Sequence, residues 1–214
     1  MKKIFLLLAM FMVMNSYSQT VITDNKLIIK HSDITLYLTK DTCALVSKHV
    51  LKFSNFLKLD KERDNKWFQD TYKGKYTKDA YLKTGYDIGH LTPSHITSYD
   101  NDLNHQSFSL FNAAPQVAAF NRGKWAQLEG DIEDLVTKGK QDVVIITGVI
   151  YDPKNKKRMG KSKIPIPVSY FKVLFIDGGT VCWVGSNING MISVITLTEL
   201  NELFKLNKMN LTIK

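Results

Sequence analysis

The stretch that most constrains the fold is the run from Asp142 to Tyr151, which reads DVVIITGVIY. It is apolar along most of its length and is bounded by turn residues, a pattern typical of a strand buried on both faces at the centre of a sheet. Shorter β-like runs before and after it predict further strands. These predicted strands cover residues 27–30, 34–38, 44–51, 168–176, 180–184 and 191–197, with Asp177-Gly-Gly as a hairpin turn.

One long helix is predicted over residues 117–138. Leu128, Ile132 and Leu135 recur at helical spacing, and Gly139 is placed to end the helix. A short helix with Thr198 as its cap is expected near the carboxyl end. Together these patterns predict an α+β fold with a mainly antiparallel central sheet and a long helix.

The amino terminus has the pattern of an export signal. Two lysines precede the apolar run Ile4–Met14, which is too short to span a bilayer, and small residues predict cleavage after Ser18. A retained anchor or a lipoprotein is the alternative, although no cysteine stands at the cleavage point to carry a lipid. Residues 1–18 are therefore expected to be a signal peptide and 19–214 a single domain, secreted or periplasmic, with no membrane attachment after cleavage.

The two cysteines leave two interpretations open. In an oxidising compartment Cys43 and Cys182 could form a disulfide, but no local pattern supports the pairing, and two buried free thiols are the alternative.

The charge balance is compatible with a polyanionic partner. The formal net charge is +9 for the full chain, and a basic surface attracts nucleic acid through a term that does not depend on base sequence. Ordinary solubility charge is an equally good explanation of composition alone. The loop from Lys154 to Lys163 carries five lysines and Arg158, and could either steer a nucleic acid backbone or be an exposed hairpin loop.

Two groups of residues could carry chemistry. His90 follows Gly89, and a neutral imidazole can take a proton from water, although a lone histidine is more often structural. Asn121, Trp125 and Glu129 are spaced to share one side of a helix, where amide and carboxylate oxygens would suit Mg²⁺. The alternative is a solvated helix face with Trp125 in the core. His95 and His105 match no common zinc spacing and are interpreted as structural or surface residues.

Several spaced motifs occur together in one order. They are Gly85-Tyr-Asp-Ile-Gly-His-Leu-Thr-Pro, Phe111-Asn-Ala-Ala-Pro-Gln, Asn121-Arg-Gly, Trp125, Leu128-Glu129, Ile146-Thr-Gly-Val-Ile-Tyr, Ile164-Pro-Ile-Pro and Tyr170-Phe-Lys-Val. Over residues 30–205 the chain resembles the DNA/RNA non-specific endonucleases of the ββα-metal class. The resemblance implies a ββα-metal motif at the active site, in which the long helix is catalytic.

The resemblance also implies a role for individual residues. His90 would be the general base, Asn121 the direct ligand of Mg²⁺ (with Mn²⁺ possible), and Glu129 would hold water of the metal. Asn112 would help to position the site, and Arg63, matched through Trp67-Phe68 and Asp70, would contact the phosphate. Asp87 is expected to be a structural hydrogen-bond partner.

The chain lacks two arginines that the family pattern contains. Ile88 stands where the family motif has an arginine, and Glu133 stands where a second arginine usually follows the glutamate. Removing positioned donors near a phosphate can lower the rate by about 10² to 10³ each. Arg122 and Lys124 could compensate, and with Arg158 they are the expected nucleic-acid-binding residues.

The predicted function is an exported, Mg²⁺-dependent endonuclease that hydrolyses DNA and RNA with little sequence preference and leaves 5′-phosphates. DNA and RNA are the expected partners; the sequence indicates neither an inhibitor protein nor an oligomeric state. A non-catalytic nucleic-acid-binding protein with a decayed site is the main alternative, and a secreted domain that binds an acidic cell-surface polymer is the third.

Overall fold

The computed structural model describes residues 21–24, 27–59, 64–69 and 77–214. Its main feature is a seven-stranded antiparallel sheet with the strand order β12-β11-β10-β7-β4-β3-β2. The strands of this sheet are β2 (Ile28–His31), β3 (Ile34–Leu38), β4 (Ala44–Leu51), β7 (Val143–Ile150), β10 (Ser169–Ile176), β11 (Gly179–Ser186) and β12 (Ile192–Ile195).

Within the described residues, three small pairs of strands lie outside this sheet. They are β1 (Val21–Thr23) with β13 (Leu211–Ile213), β5 (Tyr86–His90) with β6 (Ala113–Val117), and β8 (Arg158–Met159) with β9 (Ile164–Pro165). The helices are α1 (Phe53–Phe56), α2 (Asn101–Ser107), α3 (Ala118–Phe120), α4 (Ala126–Gly139) and α5 (Leu197–Leu206), with 3₁₀ turns at Lys78–Tyr81, His95–Thr97 and Leu110–Asn112. The predicted α+β class and mainly antiparallel sheet are confirmed.

The apolar run at β7 occupies the centre of the sheet, as predicted. All of its residues are buried, because β4 and β10 flank it and helices cover both faces. Successive side chains of a strand alternate between faces. Ile145 and Val149 accordingly pack with α4, while Val144 and Ile146 pack with α5.

The hairpin of β5 and β6 is fastened to the large sheet by two side chains. The Tyr170 hydroxyl donates to the Ala114 carbonyl at 2.9 Å, and the Asn187 amide donates to the Pro115 carbonyl at 3.0 Å. The Asn187 side-chain oxygen also accepts from the Val117 backbone at 2.8 Å. Because Val117 leads directly into α3, these bonds fix the strand pair and the helix that follows it.

Two helix predictions are wrong in detail. The long helix is interrupted, since Gly123 has φ −106° and ψ −114° and residues Asn121–Trp125 form a wide turn of π type before α4 begins. The cap of α5 is Thr196 rather than Thr198, because the Thr196 hydroxyl accepts from the Glu199 backbone while the Glu199 carboxylate accepts from the Thr196 backbone. This reciprocal capping box satisfies two donors that Thr198 could not reach.

Cys43 and Cys182 are both buried and both are free thiols, so the disulfide is absent and the alternative of two buried thiols is confirmed. Across the described part of the chain, no helix has the length and apolar character needed to cross a membrane. The predicted signal peptide and its cleavage point after Ser18 lie outside the described residues.

Candidate active site

The motif residues meet in a unit of two strands and a helix. β5 ends at His90, β6 runs antiparallel beside it with Ala113 opposite His90, and β6 continues through α3 to Asn121 and then α4. This is the strand-strand-helix arrangement that the resemblance implied. It brings residues separated by 31 positions in sequence, His90 and Asn121, into one supersecondary unit.

Aromatic rings surround the His90 imidazole. The Trp67 ring centroid is 4.3 Å from that of His90, and Phe108 meets the imidazole edge to face at 5.0 Å. Residues 64–69 are attached to the domain by backbone hydrogen bonds from Phe68 to Phe108 and from Leu110 to Phe68. Packing of this kind restricts the rotation of the imidazole, which a general base requires.

Asn112 holds the turn that follows His90. Its side-chain oxygen accepts from the Thr92 backbone at 3.0 Å, and its amide nitrogen donates to the carbonyls of Thr92 at 2.9 Å and Ser107 at 2.8 Å. The Asn112 side chain is fully buried. Asn112 therefore ties the turn that follows His90 to the end of α2, and its role in positioning the site stays a prediction.

Asp87 joins the strand of His90 to the start of the helix. One carboxylate oxygen accepts from Asn121 Nδ2 at 2.9 Å, and both oxygens accept from the Arg122 guanidinium, at 2.6 and 2.9 Å. Burial raises the pKa of Asp87, but the hydrogen bonds from Arg122 and Asn121 outweigh it and hold the pKa below its ordinary value. Asp87 is thus the structural hydrogen-bond partner that the sequence predicted, and it stays ionised.

The side chain of Asn121 fits the metal that the family pattern implies. Because Nδ2 donates to Asp87, Oδ1 is the free end of the amide, and no described residue bonds it. An amide oxygen beside a carboxylate is a hard donor set, suited to a Mg²⁺ ion that keeps several waters. The described residues contain no group of three or more His, Cys, Asp or Glu that could hold a metal, so a metal here would depend on Asn121 and solvent.

Glu129 is paired with a buried lysine from the sheet. Lys172 Nζ lies 3.1 Å from Glu129 Oε1 and donates to Thr147 Oγ1 at 3.0 Å, and the Lys172 side chain is 2% exposed. Burial raises the pKa of Glu129, and the charge and hydrogen bond of Lys172 oppose that rise. The interruption at Gly123 means that Asn121 and Glu129 do not lie on one continuous helical face, which corrects the predicted arrangement.

Glu133 also has a side-chain partner outside its own helix. His95 Nδ1 lies 3.2 Å from Glu133 Oε2. Burial raises the pKa of Glu133, the His95 charge lowers it, and the neighbouring Glu129 charge raises it. A small cavity of about 10 Å³ beside Glu129, Glu133 and Lys172 has room for about one water molecule.

Ile88 lies against an apolar cluster. Its side chain packs on the cluster formed by Ala80, Tyr81, Met159 and Ile164. The β8–β9 turn supplies two of those residues, so Ile88 helps to hold the basic loop in place. An arginine at this position would have to bury its stem in the same cluster.

The remaining predicted residues occupy different parts of the surface. Lys124 is exposed beside Arg122, and Arg158 is exposed on β8. Arg63 lies outside the described residues. His105 is a surface residue, 2.7 Å from Asp64 and stacked on Phe68.

Sequence reasoning missed two residues of the site. Lys172 has a visible signal, because it is the one charged residue in the apolar strand Ser169–Ile176 and shares a face with Tyr170 and Leu174. Trp67 has a weaker one, an aromatic pair within a lysine-rich segment, and nothing in its local sequence indicates contact with His90.

Comparison with proteins of known structure gives the same fold. The structure of the EndoG/EndoGI complex superimposes with a TM-score of 0.71 and 22% sequence identity, covering 82% of this chain and 82% of that one. At that identity the likeness establishes the fold alone.

Sequence relatives agree with this result. The mitochondrial nuclease of Saccharomyces cerevisiae is 31% identical over 137 residues, or 56% of this chain and 41% of the relative. Human mitochondrial endonuclease G is 29% identical over 116 residues, or 49% of this chain and 39% of the relative. The chain therefore spans about two-fifths of the length of these curated relatives. The model of the DNA/RNA non-specific endonuclease family matches residues 14–214, and the chain belongs to that family.

Proposed function

We propose that this protein is a Mg²⁺-dependent endonuclease that hydrolyses phosphodiester bonds of DNA and RNA with little sequence preference. The observation that carries the proposal is the hydrogen bond from Asn121 to Asp87, since it joins the start of the helix to the strand that ends in His90. Family membership and similarity to proteins named as nucleases support it.

His90 accepts the proton of the attacking water in this proposal. As the new bond from the water oxygen to phosphorus forms, the bond from phosphorus to the 3′ oxygen breaks, which leaves a 5′-phosphate. A neutral imidazole is required, so activity is expected to fall at acid pH, where His90 is protonated. The rings of Trp67 and Phe108 hold the imidazole in one orientation.

The other residues act on charge and orientation. Asn121 would hold Mg²⁺, or Mn²⁺ in its place, through its amide oxygen, and the ion when bound would supply charge neutralisation to the phosphodiester. Glu129, held by Lys172, accepts hydrogen bonds from water in the site. Arg122, Lys124 and Arg158 are the cations proposed to contact phosphates, and Arg63 is proposed to do the same.

Recognition of the backbone explains the breadth of substrates. Phosphate contacts fix the position of a nucleic acid but carry no base information. We further propose that residues 1–18 direct export and are removed, so that the enzyme works outside the cytoplasm. Mass spectrometry of the secreted or periplasmic protein tests this, because cleavage after Ser18 gives a chain that begins at Gln19.

A plasmid and RNA degradation assay tests the activity. The parent is expected to degrade both in Mg²⁺ and to stop in excess chelator, and His90→Ala is expected to lose at least about 10²-fold in rate, the lower range for a general base. His31→Ala is the matched control, because His31 lies on the edge strand β2 and not on the β5–β6 hairpin.

The same assay distinguishes an active nuclease from a binding protein with a decayed site. That alternative is suggested by Ile88 and Glu133, which stand where the family pattern has arginines. A parent that shifts nucleic acid in a gel but leaves it intact in every metal is a binding protein. Equal rates for the parent and His90→Ala refute the assignment of the base.

A further inference from the structure

A wide groove lies beside the hairpin that carries His90. Its walls are the 77–86 segment and the turn of residues 158–162, and it has a volume of about 800 Å³. Tyr86, the first residue of β5, is part of its lining. The groove therefore begins on the strand that ends at His90.

The lining of the groove is basic. Lys83, Arg158 and Lys161 line it and are exposed, and Asp79 is the only acidic residue among its described lining residues. Arg158 Nη1 donates to the carbonyls of Asn155 at 3.1 Å and Lys157 at 2.9 Å, which directs the guanidinium without neutralising it. Three cations against one carboxylate give the groove a net positive charge, which attracts anions.

The two walls are fixed to each other. Gly160 has φ +61°, and a Cβ at that position would lie 2.3 Å from the Ala80 carbonyl oxygen, so the turn approaches the 3₁₀ turn as closely as only glycine allows. Met159 and Ile164 are buried with Ala80 and Tyr81 in one apolar cluster. The groove is thus a preformed feature, and its lysines are presented on a held loop.

The distance from His90 defines what the groove can contact. Tyr86 precedes His90 by four residues of extended strand, or about 13 Å at about 3.3 Å per residue. Successive phosphates of one strand advance by about 3.4 Å along a duplex axis and are farther apart in an extended single strand, so the groove begins within about four nucleotides of the scissile bond.

We infer that this groove is a second binding site for the sugar-phosphate backbone of the substrate, remote from the bond that is cut. The inference rests on the proposed function, and it adds a subsite that only substrates longer than about four nucleotides reach. Among the described lining residues Tyr86 is the one aromatic ring, so the groove contacts phosphates rather than stacked bases and accepts DNA and RNA alike.

Binding is measured by fluorescence anisotropy in the His90→Ala background, so that the probe is not cut. The test variant carries Lys83→Gln, Arg158→Gln and Lys161→Gln. The control variant carries Lys30→Gln, Lys52→Gln and Lys208→Gln, which removes three exposed cations from elsewhere on the surface. Both variants lose the same charge, and thermal unfolding checks that both are folded.

The groove variant is expected to bind a single strand of about 20 nucleotides at least about tenfold more weakly. Its slope of log affinity against log salt should fall by about two, since each phosphate contact on a single strand contributes about 0.7. The loss should shrink as the strand is shortened to about four nucleotides. The control variant should change by less than about twofold.

Equal losses in the groove and control variants overturn the inference, because they indicate a general charge effect. So does a loss that is the same for short and long strands. If the parent cleaves nucleic acid and the groove variant binds as tightly as the parent does, the inference about the groove is wrong and the proposed activity stands. A parent that never cleaves refutes the proposed activity, and the anisotropy measurement still decides whether the groove binds.

Discussion

Lys172 illustrates how one buried cation is stabilised in an apolar layer. Its Nζ contacts Glu129 at 3.1 Å and Thr147 at 3.0 Å, and it lies 5.0 Å from the centroid of the Trp125 ring. A lysine that is 2% exposed loses almost all of its hydration, so its charge depends on these three partners. The same contacts hold the Glu129 carboxylate at the site.

Lys172→Met is expected to lower the free energy of unfolding by about 3 kcal/mol, the lower end for a broken buried ion pair, because the Glu129 side chain is 21% exposed and loses its cation. Nuclease activity is expected to fall by about 10- to 100-fold, the usual effect of removing a residue that orients a metal site. Urea unfolding and the plasmid assay measure the two effects.

The double variant Lys172→Met, Glu129→Gln supplies the control. It removes both charges, so it should recover a large part of the lost stability while activity stays low. If the losses in free energy of unfolding of Lys172→Met and Glu129→Gln simply add in the double variant, the ion pair does not couple these residues.

At the scale of elements, the β5–β6 hairpin depends on a glycine. A Cβ on Gly89 would lie 2.2 Å from Gln116 Oε1 and 2.6 Å from Gln116 Cβ, and Gln116 is fully buried. The strands pair Gly89 with Ala114 and Asp87 with Gln116, so any shift of Gln116 moves the strand that carries both His90 and Asp87.

Gly89→Ala is expected to lower the free energy of unfolding by about 1–3 kcal/mol through overpacking. It should also reduce kcat, because His90 is the next residue on the displaced strand. Thermal unfolding and steady-state kinetics measure these effects.

Gly130→Ala is the matched control on α4. A Cβ there meets nothing within 4 Å, and the change replaces a helical glycine. It should raise the free energy of unfolding by up to about 1 kcal/mol. Gly89→Ala with parent-like stability and activity would show that Gln116 adapts without cost.

At the scale of the whole molecule, buried ionisable groups set how stability depends on pH. Burial lowers the pKa of His49 from 6.5 to about 4, with the Asp33 charge opposing and the Lys172 charge reinforcing the shift. As the pH falls, the unfolded chain therefore takes up this proton before the folded protein does. The contribution of His49 is complete above pH 6.5 and is lost as the pH falls toward 4. The raised pKa values of Glu129 and Glu133 act in the opposite direction.

His49→Gln is expected to reduce the acid sensitivity of the domain. A shift of about 2.5 pH units corresponds to about 3 kcal/mol, which the parent loses and the variant does not. The measurement is the free energy of unfolding of both proteins from pH 7 to pH 4. Parallel curves would show that His49 takes up its proton at the same pH in the folded and the unfolded protein.

The strand plan was largely predictable from the sequence. The apolar run Val143–Ile150 can bury both of its faces only at the centre of a covered sheet. The turn Asp177-Gly-Gly places β10 and β11 side by side. The helix between Asn121 and Glu129 was less predictable, because helical periodicity gives no warning of the backbone change at Gly123. The cap of α5 was misplaced for a similar reason, since Thr196 and Thr198 are both plausible caps in isolation.

The sequence by itself determined the family and the central position of one strand, because motifs and short-range periodicity are local properties of the chain. It also singled out His90, Asn112, Asn121 and Glu129 as the residues of the proposed site. Only the tertiary structure decided that Glu129 pairs with Lys172, that Trp67 packs on His90, and that Ile88 anchors the turn carrying Arg158. Each of these contacts joins segments far apart in sequence. Their partners are chosen by strand order and by which face of the sheet a residue occupies, and local sequence does not specify either.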